Sequence, residues 1–192
     1  MRFIVITVLL IAAFVAVVWE GSHIDSAERS WRRDLHRLAG GGHLAELQRL
    51  LETGVDVDVR DSTGVTPLLY ASLFGRADEA SALIAAGADI NSTDPRGWNA
   101  AVTAAAGGYD AVLRKLISAG ADLNTLTRNG RTALLLAVLN GHQSTVALLL
   151  EHGARCDVTD NLGQSVLQIA EAEHAPQHTL NLLTAHMAGA AD

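Results

Sequence analysis

Few side chains in this sequence combine type and spacing suited to covalent chemistry. His174 and His178 lie four residues apart, a separation that on one helix would offer two imidazoles to a metal. Pro176 falls between them and no third ligand lies nearby, so the pair reads as surface residues. Cys156 is the only cysteine, which allows no internal disulfide and leaves the redox compartment open. The slot it occupies is otherwise filled by Ile90 and Leu123, so it reads as an inert core thiol. Gly40, Gly41 and Gly42 lack the following lysine that a phosphate-binding loop requires, and read as a loose turn that weakens a helix end. Asn91, Ser92 and Thr93 have the form of a glycosylation acceptor. Neither G-x-S-x-G nor H-E-x-x-H occurs. No nucleophile, base and acid converge, so no enzymatic activity, cofactor, metal or small-molecule substrate is expected.

Charge narrows the partners further. The 192 residues carry 14 basic against 21 acidic side chains, a net charge of -7, and Lys115 is the only lysine. A surface of that balance excludes nucleic-acid binding through a basic face. Apolar residues make up 49% but aromatics only 4%, so the core has to be built from Ala, Leu, Val and Ile.

Residues 3–19, FIVITVLLIAAFVAVVW, contain no charge. As a helix they would extend roughly 26 Å at about 1.5 Å per residue, close to the hydrocarbon thickness of a bilayer. Trp19 stands where an interfacial aromatic belongs. The expectation is an uncleaved signal anchor over 1–19, single-pass in the cell membrane, followed by a polar tether over 20–33. The alternative is a cleaved signal peptide and release to the periplasm, although the run is long for one and no A-x-A site follows it. Arg2 before the run and Glu20, Asp25 and Glu28 after it place the remainder in the periplasm or outside the cell. Arg29, Arg32, Arg33 and Arg37 count in the opposite direction.

The rest of the chain is periodic. Gly64, Gly97, Gly130 and Gly163 recur at one constant interval. Two positions after each stands a helix-capping residue: Thr66, Asn99, Thr132 and Ser165. A second helix follows each first one and carries a late apolar pair: Leu83–Ile84, Leu116–Ile117, Leu149–Leu150 and Leu182–Leu183. Gly87, Gly120 and Gly153 then supply the left-handed residue that stops a helix. A degenerate earlier unit shares Gly42, Leu50–Leu51 and Gly54 but lacks a clear helix start.

GVTPLLYAS (64–72), GRTALLLAV (130–138), GADIN (87–91), GADLN (120–124) and NGHQSTVALLLEHGA (140–154) resemble the consensus of the ankyrin repeat. The interval between the glycines is similar to that family's period of about 33 residues. The resemblance covers about residues 34–192 and implies an all-α solenoid of about five helix-turn-helix units, at about 34–60, 61–93, 94–126, 127–159 and 160–192. Leu69, Val102, Leu135 and Gln168 replace the family's histidine, which ties neighbouring hairpin loops together. The polar last unit reads as a cap. Solenoid stacking explains why the first helices are apolar all round, with Ala71, Ala104, Ala137 and Ala170 permitting close approach.

By the same resemblance, the hairpin tips and the residues before the inter-helix glycine line a concave binding face. This places Val65, Leu73, Phe74, Trp98 and Leu139 at an apolar centre bordered by Arg96, Arg128 and Arg131. Such a composition suits a protein partner. The resemblance thus implies a non-enzymatic interaction module, exported or membrane-tethered, of the kind found among bacterial accessory proteins for stress defence or toxin neutralisation. The alternative is a structural subunit of a membrane-associated complex or of a self-assembly.

Overall fold

Thr66, Asn99, Thr132 and Ser165 each adopt an extended backbone and accept a hydrogen bond from the amide three residues on, so each starts a short helix. At Ser165 the bond is reciprocal, because the Gln168 side chain accepts from the Ser165 amide. Pro67 follows Thr66 at the first helical position, where its missing N–H costs nothing. The computed structural model describes the backbone of residues 30–189, and within that span these caps recur with the spacing of the sequence repeat. The apolar run over 3–19 lies outside the described residues. Among those described, no helix is long and apolar enough to cross a membrane.

The chain divides into two units, Met1–Asp34 and Leu35–Asp192. Of the first only residues 30–34 are described, and they are helical. The second begins with helix over 35–41 (α1) and continues with α2 (Leu44–Glu52), α3 (Pro67–Leu73), α4 (Ala77–Ala85), α5 (Ala100–Gly107), α6 (Asp110–Ser118), α7 (Ala133–Leu139), α8 (Gln143–Glu151), α9 (Val166–Ala172) and α10 (Gln177–Gly189). The described residues form no strand beyond an isolated bridge between Thr159 and Ser165.

The second unit has two helix layers. In the inner layer α3 packs on α5, α5 on α7 and α7 on α9. In the outer layer α2, α4, α6, α8 and α10 stack in the same way, and each inner helix packs on the outer helix that follows it. Ala71, Ala104, Ala137 and Ala170 are fully buried in the inner layer, so inner helices approach through small residues. Leu83, Leu116 and Leu149 are fully buried in the outer layer, but in α10 it is Leu183 rather than Leu182. That last helix packs on α8 and α9.

The loops after the outer helices tie successive units together. Gly87, Gly120 and Gly153 turn the chain at positive φ. Asp58 then accepts the Asp89 amide, Asn91 the Asp122 amide and Asn124 the Arg155 amide, at 2.8–3.1 Å and always 31 residues apart. Asn91 is therefore a link in this ladder.

The glycine run is not a loose turn. Gly40 is buried within α1, and a Cβ there would come 2.8 Å from Cδ2 of Phe74 and 3.5 Å from Tyr70. Its carbonyl accepts from Nε of Arg76 at 3.1 Å. The missing side chain admits the Phe74 ring, a close approach that offsets the conformational entropy of a helical glycine.

Candidate protein-binding surface

Each hairpin tip is organised around one polar side chain. Oδ1 of Asp61 accepts from the amides of Thr63 and Val65 at 2.8 and 3.0 Å. Asp94 holds the amides of Arg96 and Trp98 in the same way, and Asp160 those of Leu162 and Gln164. Thr127 occupies the equivalent place in the third hairpin and accepts from the Arg131 amide at 3.0 Å. The sequence reading missed this set. Its signal was the series Asp61, Asp94, Thr127, Asp160 at the repeat spacing, with side chains suited to closing a turn on their own backbone.

Burial pushes the Asp61 carboxyl up, but the hydrogen bonds from Thr63, Val65 and Tyr70 outweigh it and hold its pKa at about 2. Burial likewise raises Asp160, and the amides of Gln164 and Leu162 with the Arg131 guanidinium bring it below the ordinary carboxylate value. The first tip is also anchored from below. The Tyr70 hydroxyl donates to Oδ2 of Asp61 at 2.9 Å, and Nε2 of His36 lies 2.9 Å from the Val65 carbonyl. His36 stands one repeat length before Leu69, so the tying histidine that is replaced in the later units is present in the first. In those later units Leu69, Val102 and Leu135 are buried packing residues, while Gln168 joins the Ser165 cap.

The eight residues singled out from the sequence fall into two rows on the inner layer. At the turn ends of the inner helices, Leu73 and Phe74 are 48% and 50% exposed, whereas Leu139 is half-buried. Phe74 is not wholly free: one side lies on Gly40 and its ring is 6.2 Å from that of Tyr70, which in turn meets His36 edge-on at 5.3 Å. Tyr109, absent from the sequence-derived set, is partly exposed and lies against Gly75, the residue after Phe74.

The second row is at the tips, separated from the first by the roughly 10 Å length of a seven-residue helix. Val65 and Trp98 are half-buried. The Arg96 guanidinium stacks 4.7 Å from the Trp98 ring centre while its Nε donates to Asp94 at 2.8 Å. Arg128 is exposed, and its amide donates to the Arg96 carbonyl at 2.9 Å. Arg131 is no simple rim residue: it leans on Asp160 at 3.4 Å with its Nε buried and unpartnered. Leu126 and Leu162, 56% and 78% exposed, flank these arginines. Leu126 escaped the sequence reading although it breaks a polar slot held elsewhere by Arg60, Thr93 and Thr159.

Two family models of ankyrin repeats match the chain, one of many copies over residues 35–84 and one of three copies over 78–160 and 100–190. The chain belongs to the ankyrin repeat family. Comparison with curated proteins gives no match. Ankyrin repeats are protein-interaction modules, and the rows just described lie on the inner helices and hairpin tips of this ankyrin stack.

Elsewhere the ankyrin domain offers little chemistry. Cys156 lines a cavity of about 490 Å³ with Arg155, Asp157, His186 and Met187. Burial, and then the Asp157 charge, pushes its thiol up, away from the reactive thiolate. His174 and His178 are both exposed, on either side of the start of α10. Among the described residues no three His, Cys, Asp or Glu side chains cluster in a way that could hold a metal.

Proposed function

We propose that this ankyrin domain is a non-enzymatic binding module that holds a protein partner on the turn-end and tip rows. The observation that carries the reading is the pair Leu73 and Phe74, about half exposed on a helix whose other apolar residues are largely buried. An exposed apolar cluster beside arginine and tryptophan has the composition of an interface centre. Residues 3–19 act as the membrane anchor and residues 20–33 as the tether, with the domain in the periplasm or outside the cell; the length and lack of charge of 3–19 support the anchor, and Arg2 before it with Glu20, Asp25 and Glu28 after it support the orientation.

Phe74→Ala tests the binding reading. Partner captured from crosslinked membranes should be lost with a penalty of more than about 1–2 kcal/mol. Thermal melting of the same protein should show a smaller cost than the roughly 3–5 kcal/mol of truncating a fully buried Phe, because half the ring is in solvent. Unchanged capture by a strongly destabilised variant would make Phe74 a core residue. Carbonate extraction of the full-length chain tests the anchor, and a mature N-terminus between residues 16 and 30 would refute it.

A further inference from the structure

The hairpin tips expose their cations and hide their carboxylates. In a chain of net charge -7, the tip carboxylates are turned inward. Asp94 and Asp160 are 6% and 5% exposed, and the Asp61 carboxylate is occupied by Thr63, Val65 and Tyr70. The cations face out. Arg96 and Arg128 are exposed on adjacent tips whose backbones are joined by the Arg128 amide and Arg96 carbonyl. Asn161 continues the line, its amide donating to the Asn129 carbonyl and its side chain to the Arg128 carbonyl at 2.8 Å. Next to Asn161 stands Leu162, and next to Thr127 stands Leu126, the two most exposed large apolar side chains among the described residues.

Arg131 is incompletely satisfied within the protein. Its contact to Asp160 is long at 3.4 Å, and its buried Nε has no acceptor. The side chain is 27% exposed and only loosely paired, so an external carboxylate can meet the guanidinium from the solvent side. The Arg128 side chain makes no hydrogen bond or ion pair within the described protein.

We infer that the tip row takes an extended acidic segment of the protein partner, in which carboxylates at alternate positions meet Arg96, Arg128 and Arg131 and neighbouring apolar side chains cover Leu126 and Leu162. Alternate residues of an extended chain point the same way about 6.6 Å apart; Arg128 and Arg131 share one tip, and Arg96 lies on the neighbouring tip hydrogen-bonded to it. This rests on the reading of the domain as a protein-binding module and names the chemistry of what is bound.

The test uses the full chain and labelled synthetic peptides, followed by fluorescence anisotropy. One peptide alternates glutamate with serine and ends in leucines; a second has lysine for glutamate, and a third serine for leucine. The first should bind best, weaken as salt rises, and lose about tenfold or more in affinity on Arg128→Glu. Arg128→Glu should melt like the parent, because the side chain is exposed, so lost binding is not lost folding. Equal binding of the lysine peptide, no binding of the acidic one, or indifference to Arg128→Glu would overturn the inference. So would a concentration-dependent dimer that Arg128→Glu dissolves, since the occupant would then be a second copy. If Phe74→Ala abolishes partner capture while Arg128→Glu leaves it intact, the binding module stands and the acidic segment fails.

Discussion

The two edges of this stack use the same kinds of residue for opposite ends. On the loop edge, Asp58, Asn91 and Asn124 reach across to the next unit and accept its backbone amides. On the tip edge, Asp61, Asp94 and Asp160 fold back onto their own turns, and neighbouring tips are joined instead by the backbone amides of Arg128 and Asn161 and by the Asn161 and Arg131 side chains. An Asp or Asn that bonds across units is scaffold. One that bonds locally closes its own turn and leaves neighbouring side chains, Arg128 and Leu162 among them, directed outward. Ionisation separates the edges as well. Burial, followed by the opposing amide bond from Asp89, leaves Asp58 above its ordinary value of 3.8, whereas Asp61 is held at about 2.

The largest effect belongs to the core that both edges share. Leu149→Ala in α8 removes a fully buried side chain and should cost about 2–5 kcal/mol in chemical denaturation, with the loss spread to flanking units. A parent-like midpoint would mean that the layers do not depend on that repeat slot.

A paired measurement breaks or confirms the contrast between edges. Asn91→Ala deletes one inter-unit bond and should lower unfolding free energy by about 0.5–1.5 kcal/mol. Arg128→Ala should change it by no more than about 0.5 kcal/mol, as expected of an exposed side chain without a partner. Comparable losses in the two variants would show that the tips are scaffold too.

A last effect is in acid. Between the ordinary carboxylate value of 3.8 and about 2, the unfolded chain binds a proton at Asp61 that the folded chain does not, so this contribution to stability is present above that window and is lost as pH falls through it. Asp160, also lowered, acts in the same direction, and Asp58, raised, acts in the opposite one. Urea midpoints should therefore fall as pH drops toward 2. In Asp61→Asn the fall should be shallower; an identical slope would remove the tip carboxylate from the account.

Local physics made much of the fold legible. A cap at Thr66 or Asn99, a stop at Gly87 and an apolar pair at Leu149–Leu150 each act over a short stretch of chain, and their recurrence from unit to unit carries the stacked architecture with it. The outward position of Leu73 and Phe74 was also legible, from their place in the repeat. The first unit was less so, because its repeat signature is degenerate and the value of Gly40 lies in the Phe74 ring of the following unit.

Tertiary structure alone decided how identical slots differ. It set His36 beside the Val65 carbonyl, laid Tyr109 over Gly75, drew Arg131 toward Asp160 and left Arg128 in solvent. Each outcome depends on what the neighbouring unit presents across a gap of a few ångströms. A repeat pattern specifies that such a neighbour exists; only packing determines which atoms of it arrive there and which side chains remain uncovered.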